Sequence, residues 1–138
     1  TCRELGITFV PFSPLGRGFL TGTIASAAQL PDGDFRKTLP RFQAENAEIN
    51  QRQLNIITQI AAEKGCTVAQ IALAWVLAQG EDIIPIPGSK QIPYIEQNVA
   101  AAAIQLTNSE KQALDQSFRP ENIAGERYPE VFARMGQK

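Results

Sequence analysis

Two polar, glycine-bearing stretches in this sequence have the residue types to grip an anion. One is Ser13-Pro14-Leu15-Gly16-Arg17-Gly18 and the other is Gly88-Ser89-Lys90. Small residues let backbone N–H groups approach a phosphate, a serine hydroxyl adds a donor, and a lysine adds a point charge. Each stretch directly follows a short apolar run, Gly6-Ile7-Thr8-Phe9-Val10-Pro11-Phe12 in the first case and Asp82-Ile83-Ile84-Pro85-Ile86-Pro87 in the second. A strand that ends in a small polar turn and passes into a helix aims free N–H groups at an anion. Two such ends side by side would hold a dinucleotide across its phosphates.

Other chemistry is excluded by what is missing. The chain has 138 residues and no histidine. It therefore holds no Ser-His-Asp triad, no Cys-His pair and no imidazole metal site. Acid–base work near neutral pH would fall to carboxylates, lysines or the two tyrosines, Tyr94 and Tyr128. The acidic residues show no paired arrangement suited to glycoside chemistry and read as solvated surface. With a net charge of −1, bulk electrostatics gives no reason to expect nucleic acid or an anionic membrane. No apolar run approaches the roughly 20 residues of a spanning helix, and the N-terminal residues carry no apolar signal segment. Cys2 and Cys66 lack metal-type spacing and read as reduced, partly buried thiols of a cytoplasmic protein; nothing in the spacing favours a disulfide between them.

The elements that must position the two stretches follow from periodicity. Thr1 to Leu5 reads as the last turn of a helix, stopped by Gly6. Residues 6–12 suit a strand buried on both faces, as in a parallel sheet. Residues 13–48 have no sustained period and read as a long loop with a short helix near 24–30; the basic and aromatic content at Phe35, Arg36, Lys37, Arg41 and Phe42 favours a lid over something anionic. Arg41 and Phe42 themselves read better as a packed loop than as a ligand clamp. Residues 49–64 form an amphipathic helix with Leu54, Ile57, Ile60 and Ala61 inward, ended by Gly65. Thr67 and Gln70 form a capping box that opens an apolar helix to about Gln79, in which Trp75 reads as core. The run at 82–87 predicts a short strand, since Pro85 and Pro87 cannot donate to a ladder. A helix then opens at Gln91 or Ile92 with Pro93 in its first turn, and Ile92, Ile95, Val99 and Ala102 repeat on one face. Thr107 and Glu110 form a second capping box for a helix to about Ser117 with Leu114 inward. Residues 118–138 read as an extended tail with a short helix at 129–135. Neither a repeat nor a domain boundary is visible, so 1–138 reads as one α/β unit with parallel strands and right-handed crossovers.

These motifs in this order resemble the C-terminal part of the aldo-keto reductases. The resemblance rests on GITFVPFSPLGRGFLTG at 6–22, IPIPGSK at 84–90 and Asn98, with Leu39-Pro40-Arg41-Phe42, the helix at 69–79 and Gly125-Glu126-Arg127-Tyr128-Pro129 beside them. It is closest to the branch related to potassium-channel β subunits and bacterial aldo-keto reductases. It implies a (β/α)8 TIM barrel, of which residues 6–12 and 82–87 would be strands seven and eight. It implies NADP(H) as cofactor, with Ser13, Pro14, Leu15, Gly16 and Gly18 around the pyrophosphate, Gly88, Ser89 and Lys90 at the 2′-phosphate, and Gln97 and Asn98 at the adenine end. Thr23 stands where many relatives have Lys, Tyr94 where many have Arg or Gln, and Gln97 where Glu is frequent; Arg36 would supply a replacement charge from the lid.

The family's catalytic Asp, Tyr, Lys and His correspond to no residue here, so the resemblance implies that catalytic residues are contributed from upstream and that these 138 residues alone are inactive. The implied activity of the parent protein is NADPH-dependent reduction of a small aldehyde or ketone. The alternatives are a non-catalytic nucleotide-sensing subunit and an inactive interaction fragment. Two parallel strands do not close a barrel, and their unpaired edges invite association with the missing N-terminal part or with a second copy.

Overall fold

The computed structural model describes residues 1–130 and residue 132. Four α-helices dominate it: α1 (Ala44–Lys64), α2 (Val68–Leu77), α3 (Ile92–Ala100) and α4 (Asn108–Ser117). The helix starts follow the capping chemistry in the sequence. The Thr67 side chain accepts from the Gln70 amide while Gln70 Oε1 accepts from the Thr67 amide at 2.9 Å, and Thr107 and Glu110 repeat the arrangement. Pro93 sits in the first turn of α3. Gly65 ends α1 in the left-handed region at φ 63°, with its own amide and that of Cys66 folding back onto Ala62 and Ala61. The same closure appears at the start of the chain, where Gly6 (φ 65°) donates to Arg3 and Ile7 donates to Cys2. That is the hydrogen-bond pattern that terminates a helix.

The two apolar runs pair in parallel, as expected, but as isolated bridges (Phe9 with Ile83, Phe12 with Ile86) and not as continuous strands. The bonding explains why. Phe9 N donates to Asp82 O at 2.8 Å, Ile84 N to Phe9 O at 3.0 Å and Ile86 N to Pro11 O at 3.5 Å. The rung between the last two needs a donor at position 11, and proline has none. Pro85 and Pro87 do not disturb this pairing. The even-numbered residues of 82–87 face the partner, so the donors that these prolines lack would point to the outer edge. Residue 6–12, expected to be buried on both faces, are instead about half exposed at Ile7, Phe9, Val10 and Phe12, because among the described residues only 82–87 lies alongside.

The core lies on the helical side. Ile57, Ile71 and Leu114 are almost fully buried, from α1, α2 and α4 respectively. Each such side chain contributes roughly 1.5–3 kcal/mol by leaving water. α1 and α2 meet at a bend of 100°. α1 starts at Ala44, so the loop is shorter than its sequence suggests, and the short helix expected near 24–30 is a 3-10 turn at Ala27–Gln29. Three more 3-10 turns punctuate the loop, at Gly16–Thr21, Phe35–Thr38 and Pro40–Phe42. The segment is anchored by buried Phe19, Leu30, Leu39 and Phe42, the two phenylalanines meeting edge to face at 5.7 Å. Trp75 packs at 5.5 Å against Phe118 and donates its indole N–H to Asp115 at 2.8 Å, which ties α2 to α4. The apolar face of α3 lies largely open: Ile92 is 72% and Val99 70% exposed. The expected helix at 129–135 lies largely outside the described residues.

Candidate functional site

The 13–18 loop and the 88–90 turn lie against one cavity of about 870 Å³ at the C-terminal ends of the paired runs. Ser13, Pro14, Leu15, Gly18 and Arg36 line one side, and Gly88, Ser89, Lys90, Gln97 and Asn98 line the other. Gly16 is the one residue of the expected set that does not line it. It turns the chain instead: Leu15 is at φ −94°, ψ 17° and Gly16 at φ 56°. A right-handed residue followed by a left-handed one is the backbone form in which successive amides converge on an anion. The left-handed turn continues through Arg17 (φ 57°) and Gly18 (φ 95°), and Ser13 enters it at φ 51°. Ser13 and Arg17 are not glycines, so the loop holds two residues in a region that costs L-amino acids roughly 1–2 kcal/mol each. Backbone strain of this kind concentrates at functional sites.

Several contacts hold the strained loop. Gly16 N donates to Ser13 O at 2.9 Å and Gly18 N to Leu15 O at 3.0 Å. Arg36 reaches across and donates from Nη1 to Arg17 O at 3.1 Å. Its other nitrogens clasp Asp34, with Nη2 2.7 Å from Oδ2 and Nε 3.0 Å from Oδ1. Those side-chain hydrogen bonds, with the one from the Arg36 amide, hold the Asp34 carboxyl down at about 2. Arg36 thus reaches the cavity as the sequence suggests, but already paired with a carboxylate. A Cβ on Gly18 would come within 3.1 Å of Ile24 Cδ1 and 3.3 Å of Arg36 Nη1.

Across the cavity, Ser89 Oγ accepts from the Gln91 amide at 3.4 Å at the start of α3. Lys90 is exposed, and a Cβ on Gly88 would meet nothing within 4 Å, so that backbone borders open space. The start of α2 borders the same cavity through Thr67 and Ala69, which the sequence did not suggest. Gln70 Nε2 donates to Gln97 O at 3.1 Å and so fixes α2 against α3. Two helix N-termini with their partial positive charge therefore flank one concavity. Among the described residues, its lining carries three cations (Arg17, Arg36 and Lys90) and no carboxylate. Thr23 and Tyr94 also line it. The donor set fits a phosphorylated nucleotide: a hydroxyl at Ser13, cations on both sides and glycine backbone left open at Gly88.

Arg17 is the cavity-lining cation that sequence reasoning passed over; a cation between two loop glycines was the available signal. Its guanidinium lies over the rings of Phe35 (5.2 Å) and Tyr128 (4.8 Å) and donates to the Tyr128 hydroxyl at 2.8 Å. Arg41 does not border the cavity and donates instead to Gly125 O at 3.2 Å. Cys2 and Cys66 are both free, and burial pushes the Cys66 thiol up, away from the reactive thiolate.

Residues 1–119 match the model of the aldo/keto reductase family. The chain is 43% identical over 128 residues to an aldo-keto reductase of Schizosaccharomyces pombe whose name carries NADP(+), covering 93% of this chain and 38% of that protein. It is 44% identical over 139 residues to an aldo-keto reductase of Strobilurus tenacellus, covering 99% of this chain and 39% of that protein. The solved structure of a glycerol dehydrogenase from Gluconobacter oxydans superposes with a TM-score of 0.74 at 27% identity, over 83% of this chain and 35% of that one. The chain thus spans about two-fifths of the length of the curated relatives it matches.

Proposed function

The chain belongs to the aldo/keto reductase family, and we propose that it supplies the nucleotide-holding portion of an NADPH-dependent carbonyl oxidoreductase. The observation that carries this reading is the meeting of the 13–18 loop, the 88–90 turn and Asn98 around one cation-lined cavity. Ser13 and Arg17, both lining the cavity, hold the pyrophosphate from the 13–18 loop. Lys90, at the start of α3, faces the 2′-phosphate, and Gln97 and Asn98 take the adenine end. The NADP(+) in one relative's name supports the choice of cofactor. Bound there, the nicotinamide nucleotide would supply the hydride that reduces an aldehyde or ketone.

The same reading makes residues 6–12 and 82–87 the seventh and eighth strands of a (β/α)8 barrel. Half-exposed apolar side chains on both runs and on α3 support it, since a closed barrel would cover them. A chain without histidine supports the placement of the catalytic tetrad upstream. The 138 residues alone therefore bind nucleotide at most weakly and reduce no carbonyl.

The test is a pair of assays on the protein that carries these residues: NADPH fluorescence titration, and oxidation of NADPH in the presence of a small aldehyde. Saturable binding and carbonyl-dependent oxidation are expected. A protein that binds no nicotinamide nucleotide, or an isolated 138-residue chain that turns NADPH over, would overturn the reading.

A further inference from the structure

We infer that Tyr128, outside the cavity, is a positioning residue for nucleotide binding and acts through Arg17. This rests on the reading of the cavity as a nucleotide site. The tail that carries Tyr128 crosses the molecule under close constraint. Asn50, only 4% exposed, donates from Nδ2 to Ala124 O at 2.9 Å and accepts from Ala124 N at 2.8 Å. Arg41 Nε holds Gly125 O. Gly125 sits at φ 81°, with Pro40 backbone 3.1 Å from where a Cβ would be. Two residues on, Arg127 lies 4.2 Å over the ring of Phe12, the residue just before the 13–18 loop. Tyr128 then meets Arg17 itself.

This arrangement does what a cation in a strained loop needs. Arg17 is held at φ 57°, and a long side chain on such a backbone would otherwise sample many rotamers. The rings of Phe35 and Tyr128, 5.2 and 4.8 Å away, restrict the guanidinium, and the Tyr128 hydroxyl takes one of its five donors. Arg17 lines the cavity, where an anion gains from a cation already held in place. The tail thereby governs the affinity of a site that none of its described residues lines.

The experiment measures the NADPH Kd by fluorescence, with melting temperature in parallel, for Tyr128→Phe, Tyr128→Leu, Arg17→Ala and the double variant Arg17→Ala/Tyr128→Leu, in the protein that carries this chain. Tyr128→Phe keeps the ring and loses the hydroxyl, so the Kd rises about 2- to 5-fold. Tyr128→Leu loses both contacts and raises it about 10-fold. In the Arg17→Ala background the leucine change has no further effect, because its only route to the nucleotide is gone. A Kd for Tyr128→Leu equal to wild type, with Lys90→Ala still weakening NADPH, overturns this inference and leaves the nucleotide reading standing. A leucine effect that persists in the Arg17→Ala background, or that tracks a fall in melting temperature shared by Tyr128→Phe, shows general loosening of the tail and also overturns it. A wild-type protein that binds no NADPH removes both.

Discussion

Replacing Lys90 by alanine should separate NADPH from NADH. The two nucleotides differ by the 2′-phosphate, which carries a charge of about −1.5 to −2 at neutral pH, like other phosphate monoesters. Lys90 is exposed at the start of α3, beside the open backbone of Gly88. At a separation of about 4 Å, a unit charge pair is worth about 1 kcal/mol in water and about 4 kcal/mol at an effective dielectric constant of 20. Exposure places Lys90 near the watery end, so the loss for a phosphate monoester is about 1–2 kcal/mol, or roughly 5- to 30-fold in Kd. Arg17 and Arg36 remain in the variant, so binding is weakened and not abolished. Fluorescence titration of both nucleotides at low and high salt reads this directly. The NADPH Kd should rise about tenfold at low salt, less at high salt as screening grows, and the NADH Kd should stay within a factor of about two. Equal losses for both nucleotides, or no loss for NADPH, would refute the assignment of Lys90 to the 2′-phosphate.

Other outcomes follow from the same contacts. Asn50→Leu strands the Ala124 N–H and C=O that the side chain now satisfies, and thermal denaturation should register a loss of about 2–4 kcal/mol; an unchanged Tm would show that the tail is not pinned there. Gly18→Ala puts a Cβ at φ 95° against Ile24 and Arg36, with an expected cost of about 1–2 kcal/mol and weaker NADPH binding; a neutral change would mean that the loop relaxes freely. The Asp34–Arg36 clasp lowers the aspartate to about 2. Its stabilisation is therefore fully present above the ordinary aspartate pKa of about 4 and fades as pH falls from there toward 2. Proteolysis of the 13–43 segment followed against pH should be flat from pH 8 to about 5 and rise only below about 4; an onset near neutrality would contradict the clasp.

Much of the architecture was legible because it is local chemistry. Thr67 with Gln70, Thr107 with Glu110, and Gly65 each satisfy or terminate a helix end using atoms within a few residues, so side-chain type and spacing suffice to place them. The two turns at 13–18 and 88–90 were legible as turns for the same reason, since their glycines and small polar residues lie within a few positions; their reading as anion grips came from the family resemblance and not from the window alone. What was not legible depends on partners far away in the chain. The apolar stripe of Ile92, Ile95 and Val99 correctly marks a helix but does not say what covers it, and here it faces outward. The prolines at 85 and 87 looked hostile to pairing until the register assigned their missing donors to the outer edge, while Pro11, which drew no attention, interrupts the ladder.

The sequence alone determined where helices start and stop, where the two glycine-bearing turns follow apolar runs, and that the chain has no histidine. The first two follow from the composition of a short window, the last from that of the whole chain. The tertiary structure decided that those turns share one cavity, that the start of α2 joins them, and that Arg17 is oriented by a tyrosine 111 residues further along. Only the packed fold could decide these, because hydrogen bonds and ring contacts act over a few ångströms whatever the length of chain between the groups they join.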